Sequence, residues 1–447
     1  MSFMPATSAQ RVVITGIGVI SPLGNTPEEL LSGLREGKSG IAPFTQIPTD
    51  VLPISNGAEA SAFTGHISDY GPLEKSLQRT IRKGSKVMCR EIEMGVAAAQ
   101  LALHNGGHNS DDFDRDRTGV VYGCDYIMSL PEEYAEGIAA CTTDGEFDFT
   151  KWGDLGLPKV NPLWLLKYLP NMPASHIAIY NDLRGPNNSI TLREASAGAA
   201  ISEAVSTISR GHADALVVGS TGSRVHTLRT LHASMQEKLA SDTEDPGRMS
   251  RPFDASRDGS VVGEGAGAFL FESLEHAEKR GATIYGEIVA CSSSAVGPAA
   301  GEQPMRKGFA NVLRGVINAG RENGFAPAEG KINVGHIHAH GLSDVDTDAC
   351  EAGAIADVFG FADGQPPVTT AKGHLGNIGA GSGMVEMIAS LQSLGNELFP
   401  IRNLEQLDEN CPIAAVTSGD QSAGDNFINL NITPQGQTTA VWITKPR

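Results

Sequence analysis

The sequence predicts an α/β protein of layered architecture, built from two halves of similar size. Apolar β-type runs alternate with amphipathic helical stretches, and the alternation is repeated in the second half of the chain. The repeat lies in the order of the elements and not in residue identity. With 447 residues, 52 glycines and 40% hydrophobic residues, the chain could form two or three domains or one large pseudo-symmetric unit.

The first half is expected to span residues 11–265. Strands are predicted over 11–20, 118–124 and 213–220, and helices after Thr26 and over 91–104 and 195–208. Residues 125–184 interrupt this alternation and hold two of the three tryptophans, Trp152 and Trp164. We interpret them as an insertion, of the kind that builds subunit contacts or a substrate tunnel.

The second half, residues 266–447, repeats the alternation. Strands are predicted over 266–272, 282–289, 334–340, 367–370, 414–417, 427–432 and 439–444. Helices are predicted over 307–320, 348–359 and 383–394.

Charge and cysteine usage limit the classes of partner. A net charge of -18 argues against nucleic-acid binding and against an anionic membrane as partner. The six cysteines show no C-x-x-C spacing, and no signal peptide or membrane-spanning apolar run is evident, so a reduced, cytoplasmic protein is expected. One basic run is either a solvated helix face or a docking patch for an acidic partner; it comprises Lys75, Arg79, Arg82, Lys83, Lys86 and Arg90.

Two stretches hold candidate functional side chains. In 185–198 a β-capable segment turns into a helix at Glu194. By itself this position is typical of a carboxylate whose only role is to interact with the positive N-terminal end of the helix dipole. In 336–340 three histidines alternate, so they share one face of a strand. His336, His338 and His340 are therefore either a metal site or a half-buried strand of which only the last histidine is functional.

Several motifs resemble one enzyme family. The run 250–267, with Arg-Pro-Phe-Asp, Arg-Asp-Gly and Gly-Glu-Gly-Ala-Gly, is similar to the signature of β-ketoacyl-acyl-carrier-protein synthases of the thiolase superfamily. Residues 11–23 resemble the first strand of that family, and 171–187 resemble its approach to the active site. His340-Gly-Leu-Ser, followed by Asp348 and Glu351, resembles its first catalytic histidine motif. The resemblance implies a five-layered α-β-α-β-α fold of two similar halves, usually in a dimer.

The resemblance also assigns the site residues. The family uses a cysteine, a lysine and two histidines, or a histidine and an asparagine, without a cofactor or a metal. Here Glu194 falls on the cysteine position, while His340 and Lys372 match the family residues. Asn377 falls on the second histidine position; a gapped alignment would place His374 there instead. His336 and His338 fall on variable family positions, which makes the metal interpretation a minor one.

Residues 418–426 align with the family's glycine loop near the C-terminus. In this alignment the bulky gating residue is absent, and Ser422 and Gly424 are expected to bind substrate, with the backbone N–H of Ser422 as an oxyanion donor.

Glu194 leaves the reaction open. A carboxylate is a poor acyl carrier because an acyl-Glu is a reactive mixed anhydride. One hypothesis is a chain-length-factor-like subunit paired with a Cys-bearing synthase; another is a malonyl-carrier decarboxylase using His340 and Asn377. A third is a condensing acyltransferase with Glu194 as general base, and a metal-dependent hydrolase is the outsider. The expected partners are acyl carrier protein, acyl and malonyl thioesters, and a second subunit, identical or different.

Overall fold

The computed structural model describes residues 11–447 except 109–111, 298–303, 328–329, 331 and 362–363. The strands are β1 Val12–Ile20, β2 Ile41–Pro43, β3 Asn56–Ala58, β4 Thr118–Cys124, β5 Thr142–Thr143, β6 Glu146–Phe147, β7 Asn187–Thr191, β8 Ala215–Ser223, β9 Glu264–Ser273, β10 Gly286–Ala295, β11 His336–His338, β12 Val368–Thr369, β13 Asn426–Ile432 and β14 Gln437–Thr444.

The helices alternate with these strands as the sequence predicts. They are α1 Pro27–Arg35, α2 Lys75–Gly84, α3 Arg90–Asn105, α4 Glu132–Ala140, α5 Met172–Asn181, α6 Ser196–Ser209, α7 Thr227–Gln236, α8 Leu274–Lys279, α9 Pro304–Glu322, α10 Val345–Phe359, α11 Lys372–Leu375 and α12 Ser382–Ser393.

The sheet topology confirms the two similar halves. The strand order is β12-β11-β13-β14-β10-β1-β9-β8-β4-β7, and β10 and β1 are joined only through Val13 opposite Glu287 and Ile14 opposite Gly286. Outward from that junction, the order is β1, β9, β8, β4, β7 in the first half and β10, β14, β13, β11, β12 in the second. In each half the last two strands pair in parallel with the strand before them. The pairing directions also correspond: β1–β9 and β10–β14 are antiparallel, as are β8–β9 and β13–β14.

Five layers follow from how the helices pack on these two five-stranded parts. Helix α6 contacts β4 and β8 on one side and β10 and β14 on the other, and α12 contacts β9 and β13. These two helices form the middle layer, whose core includes Ile201, Val385 and Ile388. Helices α3 and α5 form one outer layer, and α9 and α10 form the other. The thiolase-like α-β-α-β-α fold is confirmed.

The central position of α6 explains its small residues. A Cβ on Gly198 would lie 2.5 Å from the Thr439 hydroxyl on β14, so only glycine permits this contact. Both faces of β1 are covered, and accordingly all nine of its residues are buried, as its continuous apolar character predicts.

One predicted strand is wrong. Residues 414–417 do not form a strand; only Ala415 makes an isolated bridge, to Val368. The expected boundary at 265/266 falls inside β9, which lies between β1 and β8 in the first half. On this pairing we propose a division after α8. Within the described part of the chain, no helix has both the length and the apolar character needed to cross a bilayer.

Candidate active site

The site begins at the turn that joins β7 to α6. Arg193 has a φ of +47°, a conformation that non-glycine residues rarely adopt. The Ser196 hydroxyl accepts from the backbone N–H of Leu192 at 2.9 Å and donates to the carbonyl of Cys124 at 3.2 Å. These bonds hold the turn against the end of β4 and place Glu194 at the start of the central helix, only 1% exposed.

Glu194 belongs to a buried group of four charges. Its Oε2 lies 3.6 Å from Arg193 Nε, and its Oε1 lies 3.9 Å from Arg224 Nη1. The same two guanidinium groups each donate to Glu237 Oε1 at 2.5 Å. We call Arg193, Glu194, Arg224 and Glu237 the charge quartet; two carboxylates balance two guanidinium groups.

The quartet shapes the pKa values of its members. Burial works to lower the pKa of Arg224, but Glu237 and Glu194 outweigh it and raise that pKa above its ordinary value. Burial works to raise the pKa of Glu237, but Arg224 and Arg193 hold it below its ordinary value. The Glu237 carboxylate and both arginines are therefore charged around neutral pH.

Asn377 lies beside Glu194, in the turn between α11 and α12. Its Nδ2 donates to Glu194 Oε1 at 3.2 Å, and its Oδ1 accepts from the backbone N–H of Gly379 at 3.0 Å. His374 lies elsewhere: its Nδ1 is 2.8 Å from the Lys38 carbonyl, and its ring packs near Phe399. Of the two alternatives left by the sequence, Asn377 is the one that faces Glu194.

His340 follows the end of β11 and is held as a neutral imidazole. Burial first, and then Lys372 and Arg224, lower its pKa well below the ordinary value. Lys372 Nζ lies 3.3 Å from His340 Nδ1 and 2.8 Å from the His340 carbonyl, and it is ion-paired with Glu386. An ammonium can only donate, so Nδ1 accepts and the ring proton resides on Nε2. Glu351 fixes the loop by accepting from the backbone N–H of His340 at 2.6 Å.

A cavity of about 240 Å³ brings three of the predicted residues together: Glu194, His340 and Asn377 line it. Lys372 lies behind His340 and does not line the cavity. Three further lining residues, which the sequence did not single out, come from the last residue of β13 and the turn after it: Ile432, Thr433 and Pro434. The Gly436 that closes this turn, with φ +87°, was the available signal.

Ser422 and Gly424 do not lie at this cavity, contrary to the expected substrate-binding position. They line a different cavity, beside Gly335 at the start of β11. Both precede β13, which runs parallel to β11 with His336 opposite Phe427. Strand β13, which is seven residues long, therefore lies between these two residues and Ile432 at the Glu194 cavity. At roughly 3.3 Å per residue, the strand spans about 20 Å.

The alternating histidines form a hydrogen-bonded core and not a metal centre. His336 Nε2 and His338 Nδ1 lie 2.9 and 2.8 Å from the same Ser390 hydroxyl. The remaining nitrogens contact the Ala423 carbonyl and the backbone N–H of Ala371. Among the described residues no group of three or more His, Cys, Asp and Glu side chains could hold a metal ion.

The basic run divides into five exposed residues and the half-buried Arg90. Arg90 is ion-paired with Glu264 at 2.8 Å. The other members are exposed on and after α2, and none forms an ion pair within the described ranges; they are Lys75, Arg79, Arg82, Lys83 and Lys86. We call these five residues the basic face.

Two family models and several known proteins match most of this chain. The family model for the β-ketoacyl synthase N-terminal domain matches residues 9–277, and the C-terminal domain model matches 285–404. A 3-oxoacyl-[acyl-carrier-protein] synthase 2 from Coxiella burnetii is 31% identical over 408 residues, which are 90% of this chain and 91% of that protein. A protein of the same name from a Synechocystis strain is 30% identical over 409 residues, 90% of each chain.

Solved structures show the same fold. A β-ketoacyl synthase from Burkholderia phymatum superimposes with a TM-score of 0.80 at 24% identity, over 98% of this chain and 100% of that one. The ishigamide ketosynthase/chain length factor superimposes with a TM-score of 0.76 at 23% identity, again over 98% and 100% of the two chains.

Proposed function

The chain belongs to the β-ketoacyl synthase family of fatty acid and polyketide synthesis, and on that premise we propose that it is a non-condensing member. It acts as a chain-length-factor-like subunit that pairs with a Cys-bearing synthase. The observation that carries this proposal is Glu194, buried within the charge quartet at the turn that begins the central helix.

Thioester-forming condensation needs a thiolate at that turn, and no lining residue of the Glu194 cavity is a cysteine. Cys124 is the cysteine at the neighbouring strand end, but its thiol donates to Glu91 at 3.3 Å and burial raises its pKa well above the ordinary value. Glu194 could form only a mixed anhydride, and its carboxylate already faces two guanidinium groups. Both features argue against acyl transfer to this residue.

An exposed face suits a partner subunit. Strand β7 is one of the two edge strands of the sheet, and its outer backbone N–H and C=O groups are available for pairing. The preceding segment exposes large apolar side chains, including Phe149 at 73% and Ile179 at 68%. Apolar patches of this kind mark protein interfaces. We propose that this face binds the Cys-bearing synthase. The name of the ishigamide ketosynthase/chain length factor describes such a pairing of a ketosynthase with a chain length factor.

The basic face supports a second contact. Five cations without ion pairs in the described part of the chain stand on a protein whose net charge is -18. An acidic carrier protein would be attracted to this face and repelled elsewhere. We propose that acyl carrier protein docks there.

A malonyl-carrier decarboxylase is the second candidate, favoured by one observation. His340 Nε2–H and Asn377 Nδ2–H both belong to side chains that line the cavity, where they could hold a thioester oxygen. In that reaction the carbon–carbon bond to the carboxylate breaks, CO₂ leaves, and the electron pair forms an enolate that takes a proton from water. Against it, Glu194 and Glu237 both face the cavity and would repel the malonyl carboxylate.

Intact-mass analysis tests the proposal. The purified chain is incubated with acyl carrier protein loaded with an acyl group; we expect no mass increase, and a stable acyl adduct on this chain would refute it. Incubation with malonyl-loaded carrier then separates the candidates. We expect no acetyl-carrier product; its formation by the chain and loss in His340→Ala would establish the decarboxylase instead.

A further inference from the structure

One short part of the chain exposes an unusual amount of apolar surface. Of the fifteen large apolar side chains that are exposed in the described part of the chain, eight lie between positions 130 and 165. The others are spread over the remaining described residues, from Val51 to Leu407. Single exposed apolar residues are ordinary on a protein surface, whereas such a concentration marks a contact surface.

Aromatic packing joins these residues into one surface. The ring centre of Trp152 lies 6.4 Å from that of Tyr134 on α4 and 6.2 Å from that of Phe147 on β6. A Cβ on Gly137 of α4 would lie 3.0 Å from Cη2 of Trp152, so the tryptophan packs directly against the helix. A surface held in place in this way loses little conformational entropy when a partner binds. We call residues 130–165 the aromatic platform.

The aromatic platform is also acidic. It holds seven Asp and Glu residues against two lysines, a net charge of -5. One of the lysines, Lys151, already pairs with Asp148 at 3.4 Å. The exposed carboxylates of the platform that form no ion pair among the described residues include Glu136, Glu146 and Asp154. Apolar side chains and unpaired negative charges are therefore presented together.

The edge strand β7 cannot discriminate between partners by charge. Its five residues, Asn187–Thr191, are all uncharged, and the backbone groups of an edge strand pair as readily with a second copy as with another chain. In a symmetric pair the same patch meets itself, so each acidic platform would face another acidic platform. Like charges that are brought together across an interface oppose association. The same charge would repel an anionic lipid surface.

From this combination we propose that the aromatic platform selects its partner by charge. It disfavours a second copy of this chain and binds a protein surface that is apolar and bordered by Lys or Arg side chains. The inference rests on the proposed pairing with a Cys-bearing synthase and names the chemistry of the contact surface on that synthase. It makes no use of Glu194, so an acyl adduct on this chain would refute the non-condensing function and leave the charge selection unaffected.

A charge-reversed copy of the full chain supplies a partner of defined chemistry. It carries Glu136→Lys, Glu146→Lys and Asp154→Lys, all at exposed positions of the aromatic platform. In sedimentation experiments at about 50 mM NaCl, we expect the labelled wild-type chain to bind this copy at least about tenfold more tightly than it binds itself. Raising the salt to about 1 M should remove most of the difference. Equal affinities at low salt, or no binding to the charge-reversed copy, would overturn the proposal.

A matched control copy tests whether the position of the charges matters. It carries Glu28→Lys, Glu244→Lys and Glu275→Lys, at exposed positions outside the platform. It should bind the wild-type chain no more tightly than the wild-type chain binds itself; affinity equal to that of the charge-reversed copy would overturn the proposal.

Salt dependence provides a second measurement, which needs no variant and decides the question if the charge-reversed copy fails to fold. Because salt screens repulsion, self-association of the wild-type chain should strengthen between about 50 mM and about 1 M NaCl. Self-association that weakens or stays constant over this range would contradict the proposal. Binding of the wild-type chain to neutral phosphatidylcholine vesicles, in place of the charge-reversed copy, would also overturn it.

Discussion

Glu194→Gln tests whether the charge quartet acts as an ion-paired unit. At separations of 3.6 and 3.9 Å, each contact with a guanidinium group is worth about 4 kcal/mol of gross Coulomb attraction at an effective dielectric constant of about 20. Much of this is offset by the cost of desolvating the charges. Because the glutamine would leave two guanidinium groups facing only Glu237, we expect a net loss of about 2–4 kcal/mol in the free energy of unfolding.

Thermal unfolding measures this loss. A chain of 447 residues has an unfolding entropy of about 0.9 kcal/mol per kelvin, so the expected decrease in Tm is about 2–4 °C. Glu237→Gln should lower Tm further, because Glu237 accepts both 2.5 Å hydrogen bonds. Glu203→Gln, at an exposed position of α6, is the matched control and should shift Tm by less than about 0.5 °C. If Glu194→Gln is as stable as this control, the quartet is not an ion-paired unit.

Three further predictions address docking, pH and assembly. Lys83→Glu should weaken binding of acyl carrier protein about fivefold at low salt, measured by titration, whereas Lys307→Glu outside the basic face should not. Glu91 has a folded pKa of about 8 against an ordinary value of 4.5, so the folded state holds the proton more tightly and stability falls as pH rises through that window. The fall is about 1.4 kcal/mol per pH unit, and Glu91→Gln should flatten the dependence of Tm on pH; an unchanged slope would contradict the assignment. Phe149→Glu should weaken association with the partner subunit, measured by sedimentation. Phe361 is similarly exposed but belongs to the second half of the chain, so Phe361→Glu should leave this association intact.

Much of the fold could be predicted because its signals are local. Strand and helix patterns depend on the period of apolar residues, and the central elements are long and strongly patterned. Residues 414–417 show the limit: they have strand-like composition, but their pairing with β12 is confined to one bridge, in which Val368 hydrogen-bonds to Ala414 and Val416. Whether a short apolar run becomes a strand depends on a partner that the local sequence does not contain.

Three of the candidate site residues, Glu194, His340 and Asn377, line one cavity in the structure, and their catalytic roles stay predictions. Each lies at or near a strand or helix end, at a fixed spacing from glycines or prolines that the sequence alone displays. The C-terminal loop was misplaced because two glycine-containing stretches, before and after β13, compete for the same alignment. Only the strand register shows that the turn ending at Gly436 reaches the cavity, while Ser422 lies at the opposite end of β13.

The sequence by itself determined the two-half α/β architecture, the family and the presence of a carboxylate at the turn before α6, because each depends on residue type and spacing along the chain. Tertiary structure alone decided what surrounds that carboxylate. Arg224 and Glu237 are 30 and 43 positions away from Glu194, and no periodicity links them to it. They meet because β8, α7 and the loop after α7 converge on the turn before α6. Burial then turns four separated charges into one unit, since in a low dielectric each charge must find its counter-charge nearby.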